Sequence, residues 1–264
     1  MMLKGKVVWI TGASSGIGEA LLYECIKRGA TVVASSNDRG ELNRVITAAG
    51  TDQERIIAAP FDLAETTAID SLVTEVYEQT GVLHYLINLG GVSQRATIAD
   101  TPLWLDRKIM EINYFGTIAL SKAVLPYMIK QQFGHIVVTS SIAGRFGFPL
   151  RSAYSASKQA LHGFIETLHL ENLGNNVRGS VIIPGRVKTN ISVNALDSQG
   201  NRHGKLDAGQ AGGLSAKAAA IKILRGVRRN RREILIGRSE MIMLYIRRLI
   251  PWLFFRVAGK IKST

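Results

Sequence analysis

Short, β-branched apolar runs alternate with helical patterns along almost the whole of this 264-residue chain, and that alternation limits the folds open to it. The runs are KVVWIT, TVVASS, RIIAAPFD, YLIN, HIVVTSS, RGSVIIP and EILIG. Amphipathic stretches lie between them, for example over residues 16–28, 65–79 and 154–172. Strand–helix alternation builds βαβ units, hence a parallel sheet with helices on both faces. Strands covered on both faces should be apolar throughout, and these nearly are. The expectation is an α/β fold with one doubly wound parallel sheet of about seven strands, forming a single domain over residues 1–264. A chain of this length can bury a sizeable core around such a sheet.

One composition shift interrupts the pattern. Residues 190–213 are rich in Gly, Asp, Asn, Gln and Ser. A polar insertion of that length in a compact domain is usually a functional lid or a loop that moves, so a lid is expected at about 190–213. A hydrophobic fraction of 46% with 7% aromatics fits a globular chain rather than a disordered one. The single cysteine, Cys25, excludes an intrachain disulfide and a cysteine-rich metal site. His84, His135, His162, His169 and His203 show no metal-ligand spacing, so structural histidines and no metal are expected. The N-terminus passes straight into the first apolar run without a secretory signal, and no uncharged apolar run reaches the roughly 18 residues of a membrane span. A cytoplasmic, reducing location is expected.

The formal charge of +13 is unevenly placed. Residues 222–262 hold twelve basic side chains against Glu233 and Glu240, a local net of +10, which leaves about +3 for residues 1–221. The run RGVRRNRR has the charge to neutralise phosphates. It lacks interleaved aromatics, however, so a solvated helix end is preferred and nucleic acid is not an expected partner. Beyond it, the segment at about 238–264 is apolar in clusters, broken by Arg247, Arg248 and Pro251, and basic to its end. Two readings stay open for it. It packs on the protein beside the substrate pocket or at a dimer contact, or it sets Trp252, Phe254 and Phe255 among lipid headgroups with its arginines on anionic lipid, a peripheral membrane contact.

The stretch TGASSGIG, residues 11–18, follows the first strand and opens a helix. Gly12, Gly16 and Gly18 let the backbone turn tightly, approach a pyrophosphate and pack the helix on the sheet. Free amides and the positive end of the helix dipole then face the phosphates, with Ser14, Ser15 and Ile17 among the contacts. The end of the second strand discriminates between dinucleotides. An acid there would bond the ribose hydroxyls and repel a 2′-phosphate. This chain has Ser35, Ser36 and Asn37, followed by Asp38 and Arg39. Ser36 and Asn37 can donate to a phosphate and Arg39 can pair with it, while Asp38 weighs against, so NADP(H) is favoured over NAD(H).

The stretch YSASK places Tyr154 and Lys158 four residues apart. On a helix those positions share one face, about 6 Å apart. A phenol titrates near 10, too high for acid–base work at neutral pH, and an ammonium held beside it lowers that value. Ser155, Ala156 and Ser157 keep the surroundings narrow enough for a substrate to reach the hydroxyl.

With TGxxxGxG at the start and Tyr-x-x-x-Lys downstream, the chain resembles the short-chain dehydrogenase/reductase family over nearly its whole length. The resemblance implies a Rossmann-like sheet and further landmarks. Asp62 in FDL, with Leu63 beside it, matches the residue that contacts the adenine. NLGG at residues 88–91 stands for the usual Asn-Asn-Ala-Gly and brings Asn88 and Gly90 to the cofactor. Leu89 departs from the pattern, since an asparagine there normally helps tie the central sheet together. Asn113 in INYFG, Ser141 in VTSSIAG, Tyr154 and Lys158 match the catalytic set. Pro184, Gly185, Val187 and Thr189 in PGRVKT match the stretch that closes over the nicotinamide. Within the family, PGRVKTNISVNAL and LYIRRLIPWLFF look most like the dehydrogenase/reductase member 7B type, whose N-terminal membrane anchor is not expected here.

The resemblance implies a hydride transfer between NADP(H) and the carbonyl or secondary alcohol of a lipophilic small molecule. Tyr154 would be the acid or base, Lys158 would lower its pKa and bond the nicotinamide ribose, Ser141 would hold the substrate oxygen, and Asn113 would anchor a water. The stretch AGRFGFPL at residues 143–150 and the insertion would line the pocket. The alternative is a catalytically silent NADP(H)-binding sensor or scaffold, against which the intact Ser–Tyr–Lys–Asn set argues. Family likeness also implies a homodimer or homotetramer paired through the Tyr–Lys helix, whose ALHGFIETLHL keeps an apolar stripe suited to a partner helix.

Overall fold

In a computed structural model, which describes residues 3–258, every apolar run becomes a strand. In chain order the first half has β1 (Val7–Thr11), α1 (Gly16–Ile26), β2 (Thr31–Ser35), α2 (Arg39–Ala48), β3 (Ile56–Ala58), α3 (Ile69–Thr80) and β4 (Tyr85–Asn88). There follow α4 (Leu103–Met110), α5 (Gly116–Lys130), β5 (Gly134–Thr139), α6 (Ser152–Glu171) and β6 (Val177–Pro184). The last part has β7 (Val187–Lys188), α7 (Ala208–Ala211), β8 (Leu214–Ser215), α8 (Ala216–Arg228), β9 (Glu233–Ile236), α9 (Ile242–Leu249) and α10 (Pro251–Ala258).

The main sheet has the order β3-β2-β1-β4-β5-β6-β9 with every pair parallel; β7 and β8 form a separate small pair. The chain winds outward from β1 to β3 and then restarts beside β1 with β4. That reversal opens a crevice at the carboxyl ends of β1 and β4, where doubly wound sheets take their ligands.

Both faces of the sheet carry a core. Val8 and Ile10 point to one side, where α1 and α8 add Leu21, Leu22, Ile223 and Leu224. Val7 and Trp9 point to the other, against Val73 of α3, Leu120 and Val124 of α5, and Leu161 and Ile165 of α6. Successive residues of a strand face opposite ways, so a strand covered twice has to be apolar at every position.

Helix boundaries differ from the sequence pattern for local reasons. The stretch expected to be helical from residue 65 begins at Ile69, because Asp62 first holds a turn, accepting from the Ala64 amide at 2.9 Å while its carbonyl takes the Glu65 amide. The apolar stripe of α6 expected to meet a partner helix is its core face. Leu161, Ile165 and Leu168 are buried against the sheet, whereas the outer face shows Ala156, Gln159, Gly163, Glu166, Thr167 and the exposed Leu170. At Leu89, where the resemblance led to an asparagine, the Thr11 hydroxyl ties β1 to the end of β4, accepting from the amides of Leu89 and Gly90, each at 3.1 Å.

Four of the histidines serve the scaffold. His84 accepts from the Val7 amide, His169 from the Gly179 amide, His135 bonds Ser180 and His162 bonds Ser140. Burial holds His135 and His162 neutral, with pKa values pushed down to about 4. His162 also comes within 4.8 Å of Glu166 and Glu233, but Arg145 is ion-paired with Glu233 there, and its charge disfavours a cation.

The C-terminal helices divide their apolar side chains. Met241 and Phe254 are buried, and the Phe254 ring packs 4.7 Å from that of Phe146. Leu249, Trp252 and Phe255 remain 73%, 69% and 64% exposed. Among the described residues no helix is long and apolar enough to cross a membrane.

Candidate active site

The turn from β1 to α1 is shaped by what side chains cannot do. Gly12 has φ +66°, in the left-handed region, and a Cβ there would lie 2.9 Å from Gly90 Cα. A Cβ on Gly18 would collide with the Gly12 carbonyl. Ser15, just before α1, is extended, and its side chain caps none of the first-turn amides. Uncapped amides at a helix start are an anion site. The backbone cradle fits a dinucleotide pyrophosphate.

A cleft of about 1720 Å³ opens above this turn. Its walls include Gly12, Ser14, Ser15, Gly16, Ile17 and Gly18 of the turn, and Ser36, Asn37 and Arg39 after β2. Asp62, Leu63 and Gly90 lie on it, as do Pro184, Gly185, Val187 and Thr189. At the end of β2, the Ser36 hydroxyl meets that of Ser14 at 2.8 Å and accepts from the Asp38 amide at 3.1 Å. The Asp38 carboxylate caps α2, accepting from the Glu41 amide at 2.9 Å. Asn37 donates to Asp62 at 3.3 Å.

Two expected site residues are not on the cleft wall. Asn88 is 2% exposed and donates to Ser121 of α5 at 3.2 Å, joining the sheet to the helix beneath it. Asn113 is fully buried in a π-turn, Glu111–Phe115, between α4 and α5. Its amide accepts from the Val92 N–H at 2.8 Å and donates to the Val92 carbonyl at 2.9 Å and to Ser157 at 3.0 Å. The Asn113 side chain thus fastens the segment after β4 to α6.

Ser141, Tyr154 and Lys158 do reach the cleft together. Ser141 follows β5 and caps the short turn Ile142–Gly144, accepting from the Ala143 amide at 3.1 Å. Lys158 is 4% exposed; its ammonium lies 5.9 Å from the centre of the Tyr154 ring and donates to the Thr139 carbonyl at 2.9 Å. Burial lowers its pKa to about 8. Burial raises the Tyr154 phenol above its ordinary value, while the Ser141 hydroxyl, Arg151 and Arg95 pull the other way. Ser140 binds the two elements to each other, donating to the Lys158 carbonyl at 2.7 Å.

Sequence reading did not find Gln94, Arg95 or Asp207. Gln94 is buried with its side-chain oxygen 3.0 Å from the Ala153 amide, at the start of α6. Arg95 and Arg151 both ion-pair with Asp207, at 2.6 Å and 2.9 Å. The position shortly after β4 was the only local signal for the first two. Asp207 had none, because its partners lie far away in the chain.

Residues 6–200 match the short chain dehydrogenase family. A Drosophila melanogaster dehydrogenase/reductase SDR family protein 7-like is 40% identical over 98% of this chain and 81% of its own length. The Mus musculus dehydrogenase/reductase SDR family member 7B is 40% identical over 97% of this chain and 80% of its own. A solved short-chain dehydrogenase/reductase from Burkholderia phymatum, in complex with NAD, superposes with a TM-score of 0.84 at 24% identity, covering 96% of both chains. Another from Burkholderia cenocepacia, in complex with NADP, gives 0.80 at 22% identity over 98% of this chain and 99% of that one. With the glycine turn, the doubly wound sheet and the Tyr–Lys pair on one cleft, the chain belongs to the short-chain dehydrogenase family and is an NAD(P)-dependent oxidoreductase.

Proposed function

We propose that this protein moves a hydride between NADP(H) and the carbonyl or secondary alcohol of a lipophilic small molecule. The observation that carries the reading is the meeting of Ser141, Tyr154 and Lys158 on the cleft that begins at the glycine cradle. When bound, the dinucleotide supplies or takes the hydride. Protonation of the alkoxide oxygen falls to Tyr154, and in the oxidative direction the same hydroxyl accepts the proton. Lys158, charged below about pH 8, favours the phenolate, and Ser141 donates to the oxygen as its charge grows. Asn113 acts from behind the wall, holding Val92 and Ser157 in place. Ile142, Phe148, Ile191, Leu196 and Met243 line the cleft and suit an apolar substrate. The segment 190–213 is the lid over it.

The cofactor preference rests on the end of β2. Asp38, the acid two residues after Ser36, is engaged as a helix cap, and Ser36, Asn37 and Arg39 lie on the cleft wall, with the Asn37 side-chain amide donating to Asp62. Fluorescence titration should give NADPH a lower Kd than NADH, with Arg39→Ala narrowing the gap several-fold. Equal or reversed affinities refute the preference. Following NADPH absorbance against a panel of ketones, steroids, retinals and oxoacyl thioesters tests the activity and its substrate class; a silent sensor would bind NADPH and turn over none of them.

The exposed aromatics of α9 and α10 favour a membrane-peripheral role for the tail. Residues 242–258 carry three arginines and no acid, and Arg247 lies over the Phe254 and Phe255 rings. Cations among exposed aromatic rings suit an anionic lipid surface. Flotation with anionic vesicles should show binding that high salt weakens and that deletion after Ser239 abolishes. Protein that stays unbound at low salt refutes it.

A further inference from the structure

We infer that Asp207 is a positioning residue for the reaction: by bridging Arg95 and Arg151, it latches the polar segment onto the helix that carries Tyr154 and sets the charge facing that hydroxyl. The inference rests on the reading of Tyr154 as the proton donor.

Three consecutive residues shortly after β4 serve the arrangement. Ser93 accepts the Leu196 amide with its carbonyl at 2.9 Å and the Arg95 guanidinium with its hydroxyl at 2.9 Å. Gln94 takes the Ala153 amide and lies 3.5 Å from the Tyr154 amide, with its own nitrogen on Thr101 at 2.8 Å. Arg95, almost wholly buried, gives its amide to the Leu196 carbonyl at 2.8 Å and its guanidinium to Asp207. The segment 93–95 thus holds the start of α6 on one side and the polar segment on the other.

Asp207 closes this arrangement from a distance. It lies 112 residues from Arg95 and 56 from Arg151, the residue just before α6. Its own amide is fixed on Ser192 at 3.2 Å, so the carboxylate is anchored within the polar segment as well as across to the arginines. Asp207, Arg95 and Arg151 are largely screened from solvent. Charges so placed act in a low dielectric, where their effect on one another is strong. Arg151 and Arg95 both draw the Tyr154 pKa downward. The Asp207 carboxylate, paired with both, carries the opposite charge. The cleft wall also carries Lys158 on the same helix as Tyr154, and Lys108, Arg186, Arg202 and Glu240 from other elements.

The consequence is a pair of shifts with opposite signs. Asp207→Asn leaves both arginines facing the phenol, so the Tyr154 pKa should fall by about one unit. Arg95→Gln removes one of them, so it should rise by about one unit. Phenolate absorbance titration reads this directly, each variant being compared with the same variant carrying Tyr154→Phe. Asp207→Glu should restore the wild-type value. Cleavage by protease within 190–213 should also quicken several-fold in Asp207→Asn and not in Asp207→Glu. A merely structural carboxylate would change protease sensitivity without moving the titration, and titrations that stay put or move the same way in both variants overturn the inference. Should Asp207→Asn fail to fold, Arg95→Gln still decides, since an unchanged or lowered value contradicts it. None of these measurements needs a substrate. Absence of turnover in the wild type would therefore refute the proposed function alone, while unmoved titrations in an active enzyme would refute this inference alone.

Discussion

Tyr154→Phe is expected to lower turnover about a thousandfold while changing NADPH affinity by less than about twofold. The substitution removes one oxygen and keeps the ring, so the packing of α6 should survive. What goes is the group proposed to protonate the nascent alkoxide. A thousandfold corresponds to about 4 kcal/mol of barrier, within the range of one positioned acid. Lys158 and the glycine cradle, proposed to hold the cofactor, are left in place. Single-turnover kinetics and fluorescence titration on the same preparation separate the two effects. Substantial turnover in the phenylalanine variant would assign the proton to another group.

Lys158→Met is expected to damage both functions: turnover by about a hundredfold or more, and NADPH affinity by about tenfold. The methionine fills the space of the lysine stem, so the loss reports the ammonium. That ammonium donates to the Thr139 carbonyl at 2.9 Å and lies against the Tyr154 ring. Removing it also takes the donor from the part-buried Thr139 carbonyl. The pH dependence has a definite sign. Burial lowers this lysine from 10.5 to about 8, so between those values the unfolded chain holds the proton that the folded one has released. Stability from this group therefore rises as pH increases from about 8 towards 10.5, and its charging penalty is fully present below about 8. Urea midpoints should show that slope in the wild type and its absence in Lys158→Met. In reduction, turnover should decline above about pH 8 as the ammonium is lost, provided the bound cofactor leaves that value near 8. A variant with unchanged cofactor affinity and a wild-type stability slope would remove Lys158 from both roles.

Much of the molecule was legible because its determinants are local. A strand covered on both faces needs an apolar residue at every position, as Val7, Val8, Trp9 and Ile10 show by supplying both cores in turn. The turn after β1 needs residues without a Cβ at Gly12 and Gly18, and glycine is the one residue that qualifies. Tyr154 and Lys158 share a face because four residues make about one helical turn. Each of these requirements spans a few residues, so the residues themselves declare it.

Orientation and distant pairing were decided elsewhere. The stripe on α6 was visible, but periodicity says only that one face is apolar, and the sheet rather than a partner helix covers Leu161, Ile165 and Leu168. Asn88 and Asn113 stood in the right places along the chain, yet Ser121 and the Val92 backbone claimed their side chains away from the cleft wall. Asp207 belongs to the active-site wall only because the fold returns the polar segment to Arg95 across 112 residues. The sequence by itself determined the sheet, the cofactor turn and the spacing of the Tyr–Lys pair, since backbone conformation and amphipathic pattern are short-range properties. Tertiary structure alone decided which polar groups meet, because a buried charge or amide takes its partner from whatever element the packed core brings within hydrogen-bond reach.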